Sequence, residues 1–264
     1  MPVAHLNGID VNYELRGSGP RLLVCNGSGA SIAGSGPMID RLAGEFEVLI
    51  HDQRCLGRTT VPATQPSMAD YAADALALLD HVGWPVTCLF GISFGGMVAQ
   101  EIAVTAPERI ERLALLCTSP GGAGGSSYPL HELPSLPAEE QDRIRLHITD
   151  TRYTPEFLAA HPFDQRLVDF AAAARALPKT DEQRRGELMQ LEARRHHDVW
   201  DRLPLITCPT LVACGEFDAL APPANSEAIA SRITGSELRR YQGGHAFVWQ
   251  DRQAWPDIVG FLRS

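Results

Sequence analysis

No apolar run in this 264-residue chain approaches the length of a membrane-spanning helix, so no integral helical membrane protein and no membrane partner are expected. Basic residues are in deficit. Lys and Arg total 23 against 32 Asp and Glu, a formal charge of −9. A nucleic-acid partner is not expected, because phosphate binding draws on an excess of cations. The six cysteines, at 25, 55, 88, 117, 208 and 214, occur singly. None forms a C-x-x-C pair or a Cys/His cluster with metal-ligand spacing, so no metal site is expected. Several lie in strand-like apolar runs and read as reduced core thiols of a cytoplasmic protein. Residues 1–8 lack a basic region followed by an apolar core, so no secretory leader is expected. Internal repeats, linkers and coiled-coil heptads are also missing. The length suits one α/β domain with a substantial core, and it leaves a homo-oligomer open.

Strands and helices alternate as a mainly parallel sheet requires. Val3 to Leu15 suggests a hairpin around Asn7-Gly8, a strong short-range turn signal. Arg21 to Cys25 and Phe46 to Ile50 read as strands. Ser67, with Asp70 three residues on, can cap a helix whose apolar positions Met68, Tyr71, Ala75, Leu78, Leu79 and Val82 recur at helical spacing. Val86 to Phe90 gives way to a helical pattern beginning at Phe94 and ending near Pro107. Ile110 to Thr118, Pro209 to Cys214 and Ser236 to Tyr241 are further strands. Between Pro120 and Leu205 the rhythm breaks. This insertion opens with a glycine-rich run, residues 120–127, that suggests a turn or flexible hinge. Helical patterns follow at about 137–149, 155–160, 164–176 and 181–197. The glycine-rich run lacks the Lys and Ser/Thr of a phosphate-cradling loop, and no cofactor is expected.

The most informative segment is Gly91-Ile92-Ser93-Phe94-Gly95. A G-x-S-x-G at a strand-to-helix turn is a nucleophile elbow. The serine must stand on a sharp, strained turn, and flanking glycines let the backbone fold that tightly. Such an elbow is followed in chain order by an acid and then a histidine. Asp218 lies in the loop after the strand ending at Cys214, where ligands collect on parallel sheets. Glu216 is the rival acid and reads as a solvated loop carboxylate. His245 follows the strand-like Ser236 to Tyr241, again on a post-strand loop. His5, His81, His147 and His161 lie outside such loops, and His196 and His197 are neighbours in an Arg-rich helical stretch. His51 and His131 precede the acid. Only His245 comes after it.

A serine nucleophile of this type needs amide donors for an oxyanion. One is the N–H of Phe94, the residue after the serine. The other comes from the loop after an earlier strand, here Asn26-Gly27-Ser28-Gly29, and Ser28 N–H is assigned. Each aligned donor contributes about 3 kcal/mol to the tetrahedral intermediate.

On these residues the chain resembles the α/β-hydrolase superfamily over nearly its whole length. The segment from His51 to Thr59, His51-Asp52-Gln53-Arg54-Cys55-Leu56-Gly57-Arg58-Thr59, is similar to the family's D-x-R-G-x-G-x-S stretch, with Cys55 for the usual glycine and Thr59 for serine. Asn26-Gly27 stands where most members have His-Gly. With residues 95–100 and Asp218-x-x-x-Pro222-Pro223, that asparagine most resembles the 3-oxoadipate enol-lactonase-like branch. The resemblance implies a mostly parallel sheet flanked by helices, residues 1–119 and 205–264, and a helical cap, residues 120–204, over the active site. It implies a serine hydrolase cleaving a small carboxylic ester or lactone through Ser93, His245 and Asp218. The alternatives are hydrolysis of a carbon–carbon bond in a diketo acid, cofactor-free perhydrolysis, or a receptor-like fold that binds a ligand with slow turnover. Arg145, Arg152, Arg166, Arg194 and Arg195 in the insertion are candidates to hold an anionic substrate, though arginines on amphipathic helices are more often solvated.

Overall fold

Asn7 and Gly8 both take left-handed backbone angles, φ 49° and 77°, and so reverse β1 (Val3–Leu6) tightly into β2 (Ile9–Gly17). That hairpin is the antiparallel edge of an eight-stranded sheet in a computed structural model that describes residues 2–264. The remaining strands are β3 (Arg21–Cys25), β4 (Glu47–His51), β5 (Thr87–Ile92), β6 (Ile110–Leu116), β7 (Thr210–Gly215) and β8 (Glu237–Tyr241). Their order is β1-β2-β4-β3-β5-β6-β7-β8. Strand β2 pairs antiparallel with β4, and every pairing from β4 to β8 is parallel. Parallel neighbours need crossovers, and helices supply them.

Helices α1 (Gly36–Ala43), α2 (Met68–His81) and α3 (Phe94–Thr105) fill the first crossovers. Ser67 and Asp70 form a reciprocal capping box at the start of α2. Between β6 and β7 lie α4 (Ala138–Thr149), α5 (Pro155–Ala160), α6 (Pro162–Ala176) and α7 (Asp181–Arg195). The chain closes with α8 (Pro223–Arg232), α9 (Phe247–Gln250) and α10 (Ala254–Arg263). Among the described residues no helix is long and apolar enough to cross a membrane.

Buried parallel strands need apolar side chains on both faces, and β3 supplies them alternately. Leu23 and Cys25 join the core under α2 and α3; Leu22 and Val24 join the core under α1 and α10. Helix α3 packs close to the sheet because its inner face is small. A Cβ on Gly95 would lie 2.0 Å from the Cys25 carbonyl oxygen, and one on Gly91 would lie 2.6 Å from Ala99 Cβ. The glycine-rich opening of the insertion is a packed turn rather than a hinge. Gly121 bridges to Asp198, and a Cβ there would lie 1.9 Å from the His197 carbonyl oxygen.

Asp52, buried at the end of β4, fastens three segments. Its carboxylate accepts from Asn12 Nδ2 at 2.7 Å, from the Ile32 amide at 2.7 Å and from the Arg58 amide at 2.9 Å. Cys55 sits at φ 75°, a left-handed position that suits glycine, so the cysteine carries strain of order 1–2 kcal/mol. Thr59 keeps the hydroxyl that serine would supply, donating to the Asp52 carbonyl at 2.6 Å.

Candidate active site

Each parallel strand delivers its C-terminal loop to one rim of the sheet, and Ser93, Asp218 and His245 meet there. The β5–α3 junction forces Ser93 to φ 56°, ψ −118°, a conformation costing about 1–3 kcal/mol in a non-glycine residue. Hydrogen bonds hold it. The Ser93 amide donates to the Leu116 carbonyl at 2.8 Å, and Thr118 Oγ1 donates to the Ser93 carbonyl at 2.8 Å. Strained and fixed, Ser93 presents Oγ to His245 Nε2 at 2.9 Å.

His245 Nδ1 lies 2.7 Å from Asp218 Oδ2. The other carboxylate oxygen of Asp218 accepts from the Leu220 and Ala221 amides, both at 2.8 Å. Both oxygens of this buried carboxylate are thus engaged, which fixes its plane. Burial by itself disfavours the His245 imidazolium, but the charge and hydrogen bond of Asp218, with Cys117 beside them, hold its pKa well above the ordinary value of 6.5. Glu216, the rival acid, is exposed and accepts from Gln242 Nε2 at 2.8 Å.

The loop 26–29 runs beside the elbow. A Cβ on Gly27 would lie 3.7 Å from Ser93 Cβ. Among the described residues, neither the Ser28 nor the Phe94 amide has a hydrogen-bond partner, so both are free to serve a ligand oxygen. The loop is held from both sides. Gln53 Nε2 donates to the Asn26 carbonyl at 2.8 Å, and the Gly29 amide donates to Gln190 Oε1 on α7 at 2.8 Å. Asn26 points its Nδ2 to Ser35 and its Oδ1 to the Gly27 amide.

Sequence reasoning missed three contributors. Cys117 follows β6 with φ 40° and lies with Asp218 and His245 so that their ligating atoms fall within 4.8 Å of one another. No motif marked it. The end of α4 is stitched to both loops, since the His245 amide donates to the Thr149 carbonyl and the Thr151 amide to the Phe217 carbonyl. Gln190 lies 161 residues from Gly29, too far for any local pattern to join them.

A cavity of about 580 Å³ opens on Ser93 and His245. Ile92, Leu130, Phe163, Leu167, Leu220 and Trp249 give it apolar walls, with Asn26, Ser28 and Ser35 at the inner end. None of the five candidate arginines, Arg145, Arg152, Arg166, Arg194 and Arg195, lines it. Arg152 pairs with buried Asp150 at 2.6 Å and lies over the Phe217 ring at 4.1 Å. Arg166 is exposed and lies over Phe163. Arg145 is half-buried away from the cavity, and Arg194 and Arg195 line a different one.

Comparison with known proteins agrees with this architecture. The family model described as the alpha/beta hydrolase fold matches residues 20–251. The chain is 26% identical, over 94% of its length and 92% of the relative's, to RutD of Azorhizobium caulinodans, named provisionally as a carbamate hydrolase. It is 25% identical to 3-oxoadipate enol-lactonase 2 of Acinetobacter baylyi, over 98% of this chain and 97% of that one. The crystal structure of the enol-lactonase from Burkholderia xenovorans LB400 superposes with a TM-score of 0.82 at 22% identity, each chain covered in full.

Proposed function

The chain belongs to the α/β-hydrolase fold family and is a hydrolytic enzyme, and from the cavity over Ser93 we propose that its substrates are small neutral esters or lactones. The apolar wall of that cavity carries this reading. Its volume of about 580 Å³ falls within the 300–1,000 Å³ typical of small-molecule sites. Among the described residues that line it, His245 is the only titratable one. A substrate with a free carboxylate would enter without a cation to meet it, at a desolvation cost that a neutral acyl group avoids. Carbon–carbon cleavage of a dienol diketo acid is disfavoured on that ground.

The mechanism is two-step acyl transfer. His245 Nε2 takes the Ser93 proton as Oγ attacks the carbonyl carbon. The Ser28 and Phe94 amides receive the oxyanion. Asp218 keeps the Nδ1–H tautomer of His245 and stabilises its imidazolium form. The imidazolium returns its proton to the leaving alkoxide, and water then attacks the acyl-enzyme with His245 again as base. Residues 120–204 act as the cap, with Phe163 and Leu167 of α6 closing over the acyl group. The protein works without cofactor or metal in the cytoplasm.

Two measurements test this reading. A fluorophosphonate should label the protein at Ser93, and Ser93→Ala should abolish labelling; labelling that survives the substitution overturns the nucleophile. On one preparation, kcat/KM for p-nitrophenyl esters and five- and six-membered lactones should exceed that for dienol diketo acids. A hundredfold preference for the diketo acid, some 2.7 kcal/mol in transition-state binding, would overturn the substrate class.

A further inference from the structure

Outside the Ser93 cavity lies a second one, of about 200 Å³, separated from it by the segment 129–131. Pro129 and His131 face the second cavity while Leu130 faces the first. Its lining mixes Met97, Gly121 and Pro129 with polar and basic side chains. Arg194, in the last turn of α7, is only 7% exposed. Its Nη1 donates to the Tyr128 carbonyl at 2.9 Å, but among the described residues Nε has no partner and no carboxylate lies within ion-pair distance. His197, 5% exposed, lies beside it with its ring against the Ser119 backbone. Ser119, Ser126 and Ser127 also line it, the Ser119 and Ser127 hydroxyls bonded to each other at 2.6 Å.

A buried guanidinium without a counter-ion is costly, and buried charges are ordinarily paired. Arg194 is the exception here. The other deeply buried arginine, Arg54, forks onto Asp74 with two bonds of 2.6 Å. We propose that the second cavity is a binding site for a small oxyanion, a carboxylate or phosphate, received by Arg194 with Ser126 beside it. A guanidinium offers planar N–H donors that such anions fit. Burial lowers the Arg194 pKa only to about 10, so the charge persists at neutral pH. It pushes His197 down to about 4, so that ring stays neutral there and adds no second charge to the cavity.

Thermal unfolding of the whole protein in HEPES, with sodium acetate or sodium phosphate against sodium chloride at matched ionic strength, tests the site. Acetate or phosphate should raise Tm saturably, by roughly 3–6 °C at ten times Kd, and chloride should not. Arg194→Met keeps the apolar stem and removes the charge. It should abolish the shift and, without anion, melt no lower than the wild type. Ser93→Ala should keep the full shift, since the site is separate from the nucleophile. The source of the anion follows from kinetics. Competitive inhibition by acetate of an ester bearing a free carboxylate, with no effect on a neutral ester, assigns the site to a substrate tail and overturns the neutral-substrate reading above while keeping the site; no effect on either assigns it to a free anion. Four results would overturn the proposal: no saturable shift up to about 50 mM anion, well above a millimolar Kd; a shift that survives Arg194→Met; a shift lost in Ser93→Ala; or Arg194→Met melting far below wild type in anion-free buffer, which would make Arg194 a structural donor to Tyr128.

Discussion

Replacing Asp218 by asparagine changes one atom and should disable the site, for a reason the geometry specifies. Asp218 Oδ1 accepts two amides, Leu220 and Ala221, at 2.8 Å each. The substituted side chain must therefore keep its oxygen on that side. The flipped orientation would aim an NH2 group at two buried N–H donors and leave both unpaired, at about 1–3 kcal/mol each. The new NH2 is then forced towards His245 Nδ1, which lies 2.7 Å from the oxygen it replaces. A donor at that place makes Nδ1 the acceptor and puts the ring proton on Nε2, facing Ser93 Oγ at 2.9 Å. The base is blocked by its own proton. A wrong-tautomer substitution of this kind costs about 10⁴-fold in kcat, equivalent to about 5.4 kcal/mol in the barrier. The assay is kcat on a p-nitrophenyl ester, with near-UV circular dichroism and Tm to confirm the fold. Glu216→Gln, at an exposed carboxylate bonded only to Gln242, should lose less than about threefold, as surface changes do. A folded Asp218→Asn that retains a tenth of the activity, or a larger loss in Glu216→Gln, would refute the tautomer reasoning.

The acid limb of kcat/KM should have its midpoint above 6.5, because Asp218 raises the His245 pKa despite burial and only neutral His245 can act as base; Asp218→Asn should move the residual limb downward. The same raised pKa adds stability that is complete below about pH 6.5 and lost as pH climbs through the folded value, so Tm should fall across that window more in wild type than in His245→Gln. Gly95→Ala should lower stability by roughly 1–3 kcal/mol or more, measured by urea unfolding, because its Cβ would lie 2.0 Å from the Cys25 carbonyl oxygen; an unchanged midpoint would mean that α3 can lift from β3. Asp74→Ala should cost about 3–5 kcal/mol, since it strips Arg54 of both its 2.6 Å bonds, whereas Asp80→Ala, at an exposed pair with Arg109, should cost under about 1 kcal/mol.

The sequence by itself determined what depends on near neighbours. Period-2 and period-3.6 patterns placed the strands and the helices of 68–81, 94–105 and the insertion to within a few residues, though not α1 or α8; Asn7-Gly8 announced its hairpin, and Ser67 with Asp70 announced its cap, because these signals act over two to four residues. The order of Ser93, Asp218 and His245 was legible because each follows a strand, and a parallel sheet brings all such loops to one rim. The tertiary structure decided what depends on residues far apart in the chain. The five candidate arginines looked alike in sequence; only packing turned Arg152 onto Asp150, left Arg166 in solvent and buried Arg194 without a carboxylate. The glycine-rich turn at 121–125 owes its rigidity to His197 and Asp198, over seventy residues on. Cys117 entered the site through the curl of the backbone after β6, and Gln190 reached Gly29 across 161 residues. Local patterns fix the direction in which the chain runs. The charge environment of a side chain, and with it the kind of substrate a cavity admits, is set by whichever remote residues the fold packs against it.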